Sequence, residues 1–247
     1  MIDLHCHLHY GVDDGPKDTD ESLDLAKALV DHGVEVVACT SHLRRDKNWV
    51  NDAHVQSELN QRLSRLLDAN NITLKHVGGA EHYIDEYLLQ TCKNSEVVPL
   101  GASNWLLIET PYWGEPQRLM DLLFNIRKCG YRIVLAHVER FDYLYKYPEK
   151  LENLIDAGYV LQVNLGSIAG MYHKDHKKAA IKLLLDGYVG IVASDCHRAK
   201  DVKASIGEGS KALIKLIGVD GARILMNTNP QKILDGENPV TLDNYLN

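Results

Sequence analysis

Seven short apolar, β-branched runs recur along the 247 residues, separated by longer amphipathic stretches, and almost every run ends on a residue able to bind a metal or donate a hydrogen bond. Ile2-Asp3-Leu4 leads into His5 and His7, Val34 to Thr40 into His42, and Leu74 to Ala80 into Glu81. Trp105 to Ile108 leads into Glu109, Arg132 to Ala136 into His137, Val160 to Val163 into Asn164, and Gly190 to Ser194 into Asp195 and His197. Helical spacing is expected at 19–32, 53–70, 84–91, 116–129, 148–157, 174–187 and 201–217; Leu23, Ala26, Leu29 and Val30 share one face, as do Leu119, Leu122, Leu123 and Ile126. Gly33, Gly130, Gly158 and Gly187 follow four of these stretches, where a left-handed residue ends a helix. Strands that are apolar on both faces and alternate with helices pair in parallel. The reading is one domain over 1–247, an α/β chain forming a distorted (β/α)7 TIM-like barrel of mainly parallel strands with outer helices. In such barrels the C-terminal strand ends form the active-site rim, so residues far apart in sequence converge on one site.

The converging candidates are His5, His7, Asp14, His42, Glu81, Glu109, His137, Asp195 and His197. On a strand, His5 and His7 point the same way and can grip one ion. Nine nitrogen and oxygen donors exceed the roughly four that a tetrahedral zinc takes, and suit two or three divalent ions sharing ligands. Four carboxylates facing one cavity would also repel one another severely without cations between them. Histidine mixed with carboxylate suits manganese first, with iron or zinc as alternatives. His9 lies where the first strand should have ended, and His54, His76, His82, His173 and His176 carry no spacing that demands a metal. Asn164 can line the rim or cap the next helix.

A net charge of -7 gives no support for wrapping nucleic acid. No apolar run approaches the roughly 18 residues of a membrane span, and no basic, apolar leader precedes the first strand, so no membrane insertion is expected. Five scattered cysteines form no disulfide framework, which fits a reducing compartment and a cytoplasmic location. Cys39 to Arg45 satisfies Cys-x5-Arg by letter, but lacks the glycines that let backbone amides wrap a phosphate, and Cys39 belongs inside a strand. Cys6 and Cys196 alternate away from the flanking ligand candidates and read as packing residues.

The chain resembles the PHP (polymerase and histidinol phosphatase) superfamily, and within it the bacterial capsule-type, metal-dependent protein tyrosine phosphatases. The resemblance rests on Met1-Ile2-Asp3-Leu4-His5, Val12-Asp13-Asp14-Gly15-Pro16, Thr40-Ser41-His42, Gly79-Ala80-Glu81, Leu107-Ile108-Glu109, Ala136-His137-Val138-Glu139-Arg140, Gln162-Val163-Asn164 and Ala193-Ser194-Asp195-Cys196-His197, and extends to Asn229-Pro230-Gln231-Lys232-Ile233-Leu234. It implies a three-metal cluster: His5, His7 and Asp195 on the first ion with Glu81 bridging to the second, Glu109 and His137 completing the second, and Asp14, His42 and His197 on the third. It also implies a phosphotyrosine-containing protein as substrate, a bacterial tyrosine kinase that regulates capsule or exopolysaccharide synthesis; the chain is compatible with a homo-oligomer. Relatives usually carry an arginine shortly after the final histidine, whereas this chain runs Arg198-Ala199-Lys200-Asp201-Val202-Lys203, which leaves phosphate contacts there open.

The expected mechanism is in-line attack on phosphorus by a hydroxide held between two ions, with Arg140 as the catalytic residue that clamps the phosphoryl oxygens. A phenolate leaves without a strong general acid. The alternative within the superfamily is a phosphoesterase for a small molecule such as histidinol phosphate or a nucleotide, which Asp14 and its Val-Asp-Asp-Gly-Pro context disfavour. A non-catalytic relative would be expected to have lost ligands, and none of the nine is missing.

Overall fold

The computed structural model describes residues 1–49 and 53–242. Nine strands follow one another among them: β1 Ile2–Cys6, β2 Val36–Cys39, β3 His42–Leu43, β4 Lys75–Gly78, β5 Glu81–Tyr83, β6 Trp105–Glu109, β7 Arg132–Leu135, β8 Val160–Asn164 and β9 Val189–Ala193. Every ladder is parallel, in one sheet of order β1-β2-β4 and a second of order β3-β5-β6-β7-β8-β9. The seven expected runs become nine strands because the second and third each break once, at Thr40-Ser41 and at Gly79-Ala80. The two breaks lie side by side. A Cβ on Gly79 would stand 3.0 Å from Thr40 Cγ2 and 3.2 Å from Leu100 Cδ2, so a side chain there would press on both neighbours. Thr40 receives β1 on one side, where the Cys6 amide donates to Thr40 Oγ1 at 3.0 Å, and β5 on the other, where the Glu81 amide donates to the Thr40 carbonyl at 3.3 Å. His42 and Glu81 sit immediately beyond this step, in register with each other.

The outer strands β1 and β9 also meet, past the end of their ladders. Cys6 bridges Cys196 in parallel, the Asp195 amide donates to the His5 carbonyl at 2.8 Å, and the His7 amide donates to the Cys196 carbonyl at 3.0 Å. Buried Asp3 accepts from the Ser194 amide at 3.0 Å below them.

Helices lie between the strands near their expected places, at Thr19–Asp31, Ala53–Ala69, Leu88–Lys93, Leu119–Lys128, Pro148–Asp156, Lys174–Leu185 and Gly209–Arg223. The first is capped by Asp18, whose carboxylate accepts from the Glu21 amide at 3.0 Å. Gly33, Gly130, Gly158 and Gly187 all take positive φ, as helix-ending residues do. Short helices at Asp142–Lys146, Leu165–Ala169 and Asn229–Leu234, and a 3-10 turn at Val138–Arg140, were not expected; each is too brief to show a 3.6-residue pattern.

Two apolar layers hold the frame. The larger packs strands against helices, and the smaller gathers Leu4, Ala38, Trp105, Leu107, Val134, Val160 and Ile191 with Ile233 from the C-terminal helix. Side chains alternate along a strand, so the face bearing Trp105 and Leu107 continues to Glu109, and that of Val160 to Gln162 and Asn164. The apolar plug thus floors a polar rim. The Gly209 helix closes on this rim from outside, and a Cβ there would fall 2.6 Å from the Leu165 carbonyl oxygen, backbone that cannot give way. Gly209→Ala is therefore expected to cost about 1–3 kcal/mol of stability, read from its denaturation midpoint; an unshifted midpoint would contradict this close contact.

Candidate metal centre

Glu81 is the centre of the rim. Its carboxylate, 1 % exposed, lies 3.2 Å from His5 Nε2, 3.3 Å from His7 Nε2 and 3.1 Å from His42 Nδ1 through Oε2, and 2.8 Å from His137 Nε2 through Oε1. Asp195 Oδ1 stands 3.4 Å from His5 Nε2 and 3.7 Å from both His7 Nε2 and His197 Nδ1. Asp14 Oδ1, half exposed on the loop after β1, approaches His197 Nε2 at 3.1 Å and His42 Nε2 at 3.7 Å. Glu109 Oε2 completes the ring at 3.7 Å from His42 Nδ1. All nine sequence-derived donors are brought together, in four overlapping groups whose ligand atoms lie within 4.8 Å of one another: His7, Asp14, His42 and His197; His5, His7 and Glu81; His5, His137 and Asp195; and His42, Glu81 and Glu109. Three of the groupings cut across the partition that the resemblance implies: His7 joins Asp14, His42 and His197, His137 gathers with His5 and Asp195, and Glu109 gathers with His42 rather than with His137.

The residues fit divalent cations. Such ions are held by imidazole nitrogens and carboxylate oxygens whose outer atoms are oriented by further hydrogen bonds. Glu109 Oε2 is buried with no hydrogen-bond donor among the described residues. The imidazoles are also pre-set. Asp13 Oδ2 accepts from His7 Nδ1 at 2.7 Å and from the His42 amide at 2.8 Å, which turns His7 Nε2 to the cluster. Gln162 Oε1 accepts from the His137 amide at 3.0 Å, so the His5 Nδ1 facing it at 3.0 Å must be the donor, and His5 Nε2 is turned inward. Gln162 Nε2 donates to Asn164 Oδ1 at 2.6 Å, and Asn164 Nδ2 to Asp195 Oδ2 at 2.7 Å. Asn164 therefore serves the rim; its side chain makes no cap bond to the helix after it.

Asp195 has two separate faces. Oδ1 looks at the histidines, while Oδ2 takes Asn164 and, at 3.2 Å, Nη2 of Arg140. Glu139 and Asp142, the acidic residues nearest Arg140 in sequence, make their hydrogen bonds and ion pair elsewhere. Glu139 accepts from Ser167 Oγ at 2.5 Å and the Asn164 amide at 3.1 Å, and Asp142 pairs with Lys146 at 2.6 Å. His137 and Asp195 both hold left-handed backbone, φ 35° and 54°, which costs non-glycine residues about 1–3 kcal/mol each and persists where the surroundings enforce it.

Asp13, Gln162, Tyr112 and Tyr172 at the site were absent from the sequence-derived donor set. For Asp13 a signal existed, since Asp-Asp-Gly favours a turn in which an aspartate bonds its own backbone, and Asp13 Oδ1 does accept from the Gly15 amide at 2.9 Å. Arg198, in the loop whose phosphate contacts were open, donates to the Asp14 and His197 carbonyls at 2.7 and 2.8 Å and so braces the Asp14 loop. His9, His76 and His82 are structural, bonded to Asn60, Ser64 and the Leu107 carbonyl. Cys39 is fully buried, and burial pushes its thiol far above the usual range, as it does for Cys6 and Cys196.

Parallel strands under helices, with imidazoles and carboxylates gathered at one end, define the class: an α/β protein with a candidate multinuclear metal centre. Residues 1–235 match the family described as capsular polysaccharide synthesis, CpsB/CapC, and the chain belongs to that family. Among its relatives, the tyrosine-protein phosphatase YwqE of Bacillus subtilis is 30% identical over 200 residues, covering 81% of this chain and 78% of YwqE. The tyrosine-protein phosphatase CpsB of Streptococcus agalactiae is 29% identical over 246 residues, covering 95% and 98%. The frame superposes with a TM-score of 0.91 and 27% identity, over 98% of this chain and 97% of the other, on a crystal structure from work on YwqE of Bacillus subtilis and CpsB of Streptococcus pneumoniae, metal-dependent tyrosine phosphatases. A phosphotriesterase homology protein of Escherichia coli shares the fold alone, at TM-score 0.59 and 12% identity over 93% and 97% of the two chains.

Burial alone would strip the proton from His5, but Glu81 and Asp195 outweigh it and hold the imidazole at about 9. His7 is held well above its usual value against the same penalty by Asp13 and Glu81. Burial, with repulsion from Glu81 second, keeps Glu109 protonated above the carboxylate range. Folded His5 thus binds its proton more tightly than the unfolded chain does, so its contribution is complete below about pH 6.5 and is lost as pH rises through about 9. Glu109 acts with the same sign, because it ionises more readily once unfolded. Chelator-stripped protein should therefore lose thermal stability between about pH 6.5 and 9, as calorimetry across that window would show; flat or rising stability there contradicts the charge balance described.

Proposed function

We propose that this chain is a metal-dependent protein tyrosine phosphatase, one PHP domain over 1–247 built as a distorted (β/α)7 barrel. The bonds between β1 and the end of β9 support closure, since they tie the outermost strands of the two sheets. The observation that carries the function is the convergence of five imidazoles and four carboxylates on a single rim, buried except at Asp14 and His197. His5, His7, Asp14, His42, Glu81, Glu109, His137, Asp195 and His197 would hold two or three divalent ions, manganese first, with iron or zinc as alternatives. When bound, such ions lower the pKa of water and neutralise phosphoryl oxygens.

The chain's own residues do the rest. Asp13 and Gln162 keep the His7 and His5 lone pairs turned inward. Asp195 divides its oxygens between the histidines and Arg140, which fixes where the guanidinium meets the cluster. Arg140 then offers paired N–H donors to the phosphoryl oxygens as their charge grows in the transition state. A phenolate is a stable enough leaving group that no strong acid has to protonate it. The substrate class is a phosphotyrosine-containing protein, a bacterial tyrosine kinase governing capsule or exopolysaccharide synthesis, met in the cytoplasm; the family to which the chain belongs supports that setting. Among the described residues no helix is long and apolar enough to cross a membrane.

With manganese, the protein should hydrolyse p-nitrophenyl phosphate and phosphotyrosyl peptides; EDTA should abolish this and iodoacetamide should not, since Cys6, Cys39 and Cys196 are packing residues, buried and with thiol pKa values raised by burial. His7→Ala and Asp195→Ala should each remove turnover and lower bound metal, and chelator-resistant, thiol-sensitive activity would refute the reading. Preference for histidinol phosphate over phosphotyrosine would point instead to a small-molecule phosphoesterase. Arg140→Ala should reduce turnover on the order of 10²-fold with metal content intact, as steady-state kinetics and elemental analysis would show; unchanged kinetics would remove Arg140 from the mechanism.

A further inference from the structure

Arg140 is held on more sides than its ion pair requires. Its Nη1 donates to the Tyr112 hydroxyl at 3.2 Å while Nη2 faces Asp195. Its Cζ lies 4.5 Å from the centre of the Tyr172 ring and 5.7 Å from that of Tyr112. Tyr112 comes from the loop after β6, three residues past Glu109, whose pKa its hydroxyl lowers against the effect of burial. Tyr172 comes from the loop after β8, where its ring rests on the short helix Leu165–Ala169. A Cβ on Gly166 would stand 3.0 Å from Tyr172 Cε2 and press on the ring. Two loops from separate strand ends therefore close on one guanidinium.

Asp195 would satisfy the charge of Arg140 without either ring. What the rings add is orientation. A free arginine side chain carries about 2 kcal/mol of rotamer entropy, and a guanidinium already fixed in plane surrenders less of it when it meets a phosphate. We propose that Tyr112 and Tyr172 are positioning residues that hold the Arg140 guanidinium ready for the substrate's phosphoryl oxygens, Tyr112 through its hydroxyl and Tyr172 through its ring face. This rests on the phosphatase reading and deepens it.

The test is titration of inorganic phosphate into manganese-loaded protein, with metal content and p-nitrophenyl phosphate kinetics measured alongside. Tyr112→Phe and Tyr172→Leu should each weaken phosphate binding about 3- to 10-fold, as the loss of one hydrogen bond or one cation–ring contact would, and raise KM in step. Metal per chain should not change, and Tyr172→Phe should restore affinity because it keeps the ring. In an Arg140→Ala background, Tyr112→Phe should change nothing further. Unchanged phosphate affinity in Tyr112→Phe overturns the proposal. So does an equal loss repeated without Arg140, or loss of metal from Tyr112→Phe, which would mean that the hydroxyl acts through Glu109. Phosphate binding that follows this pattern in a protein without turnover on phosphotyrosine would support the positioning role and refute the phosphatase reading instead.

Discussion

The structure is organised around one buried carboxylate facing four imidazoles. Taking an ionised glutamate out of water costs several kcal/mol, and Glu81 is buried as deeply as the apolar core. Burial alone would raise its pKa, yet His5 and His42 first, and hydrogen bonds from His137 and His5 after them, hold it well below the usual range. Those histidines come from near the end of β1, the first residue of β3 and just past β7, so the carboxylate can stay ionised only if these distant segments meet at one level. Parallel pairing delivers that, because every strand then points its C-terminal end the same way.

The side-by-side breaks in the second and third strands serve the same end. At Thr40 and Gly79 the pairing steps from one sheet to the other, and the next residues are His42 and Glu81. The Asp13 carboxylate then pins the incoming His42 amide and the His7 ring to each other, joining the loop after β1 to β3. Donor placement and sheet geometry are thus one problem with one solution. Electrostatics favours cations at this rim: neighbouring carboxylates raise the proton affinity of His5 and His7, and burial beside Glu81 raises that of Glu109, so a divalent cation can compete with those protons.

Much of this was legible in the chain because strand ends carry it. Trp105 to Ile108 is apolar on both faces and stops at Glu109, so both the strand and the donor could be read together. The breaks could not, since a bend within Val34 to Thr40 leaves its composition unchanged and shows only through the contact of Gly79 with Thr40 and Leu100. Gln162 reads as one polar residue in a strand; its role appears only when His5 and His137, far away in sequence, meet the same oxygen. Tyr112 and Tyr172 were silent for the same reason, because loops carry no periodicity and their rings matter only through Arg140. The donors were local signals, and the groups that orient them are products of the fold.

The central claim is that the nine rim donors hold a multinuclear cluster. Anomalous X-ray scattering from crystals of the manganese-loaded protein tests it most directly. Two or three separate peaks inside the ring of His5, His7, Asp14, His42, Glu81, Glu109, His137, Asp195 and His197 are expected. A single peak, or manganese bound only outside that ring, would contradict the account.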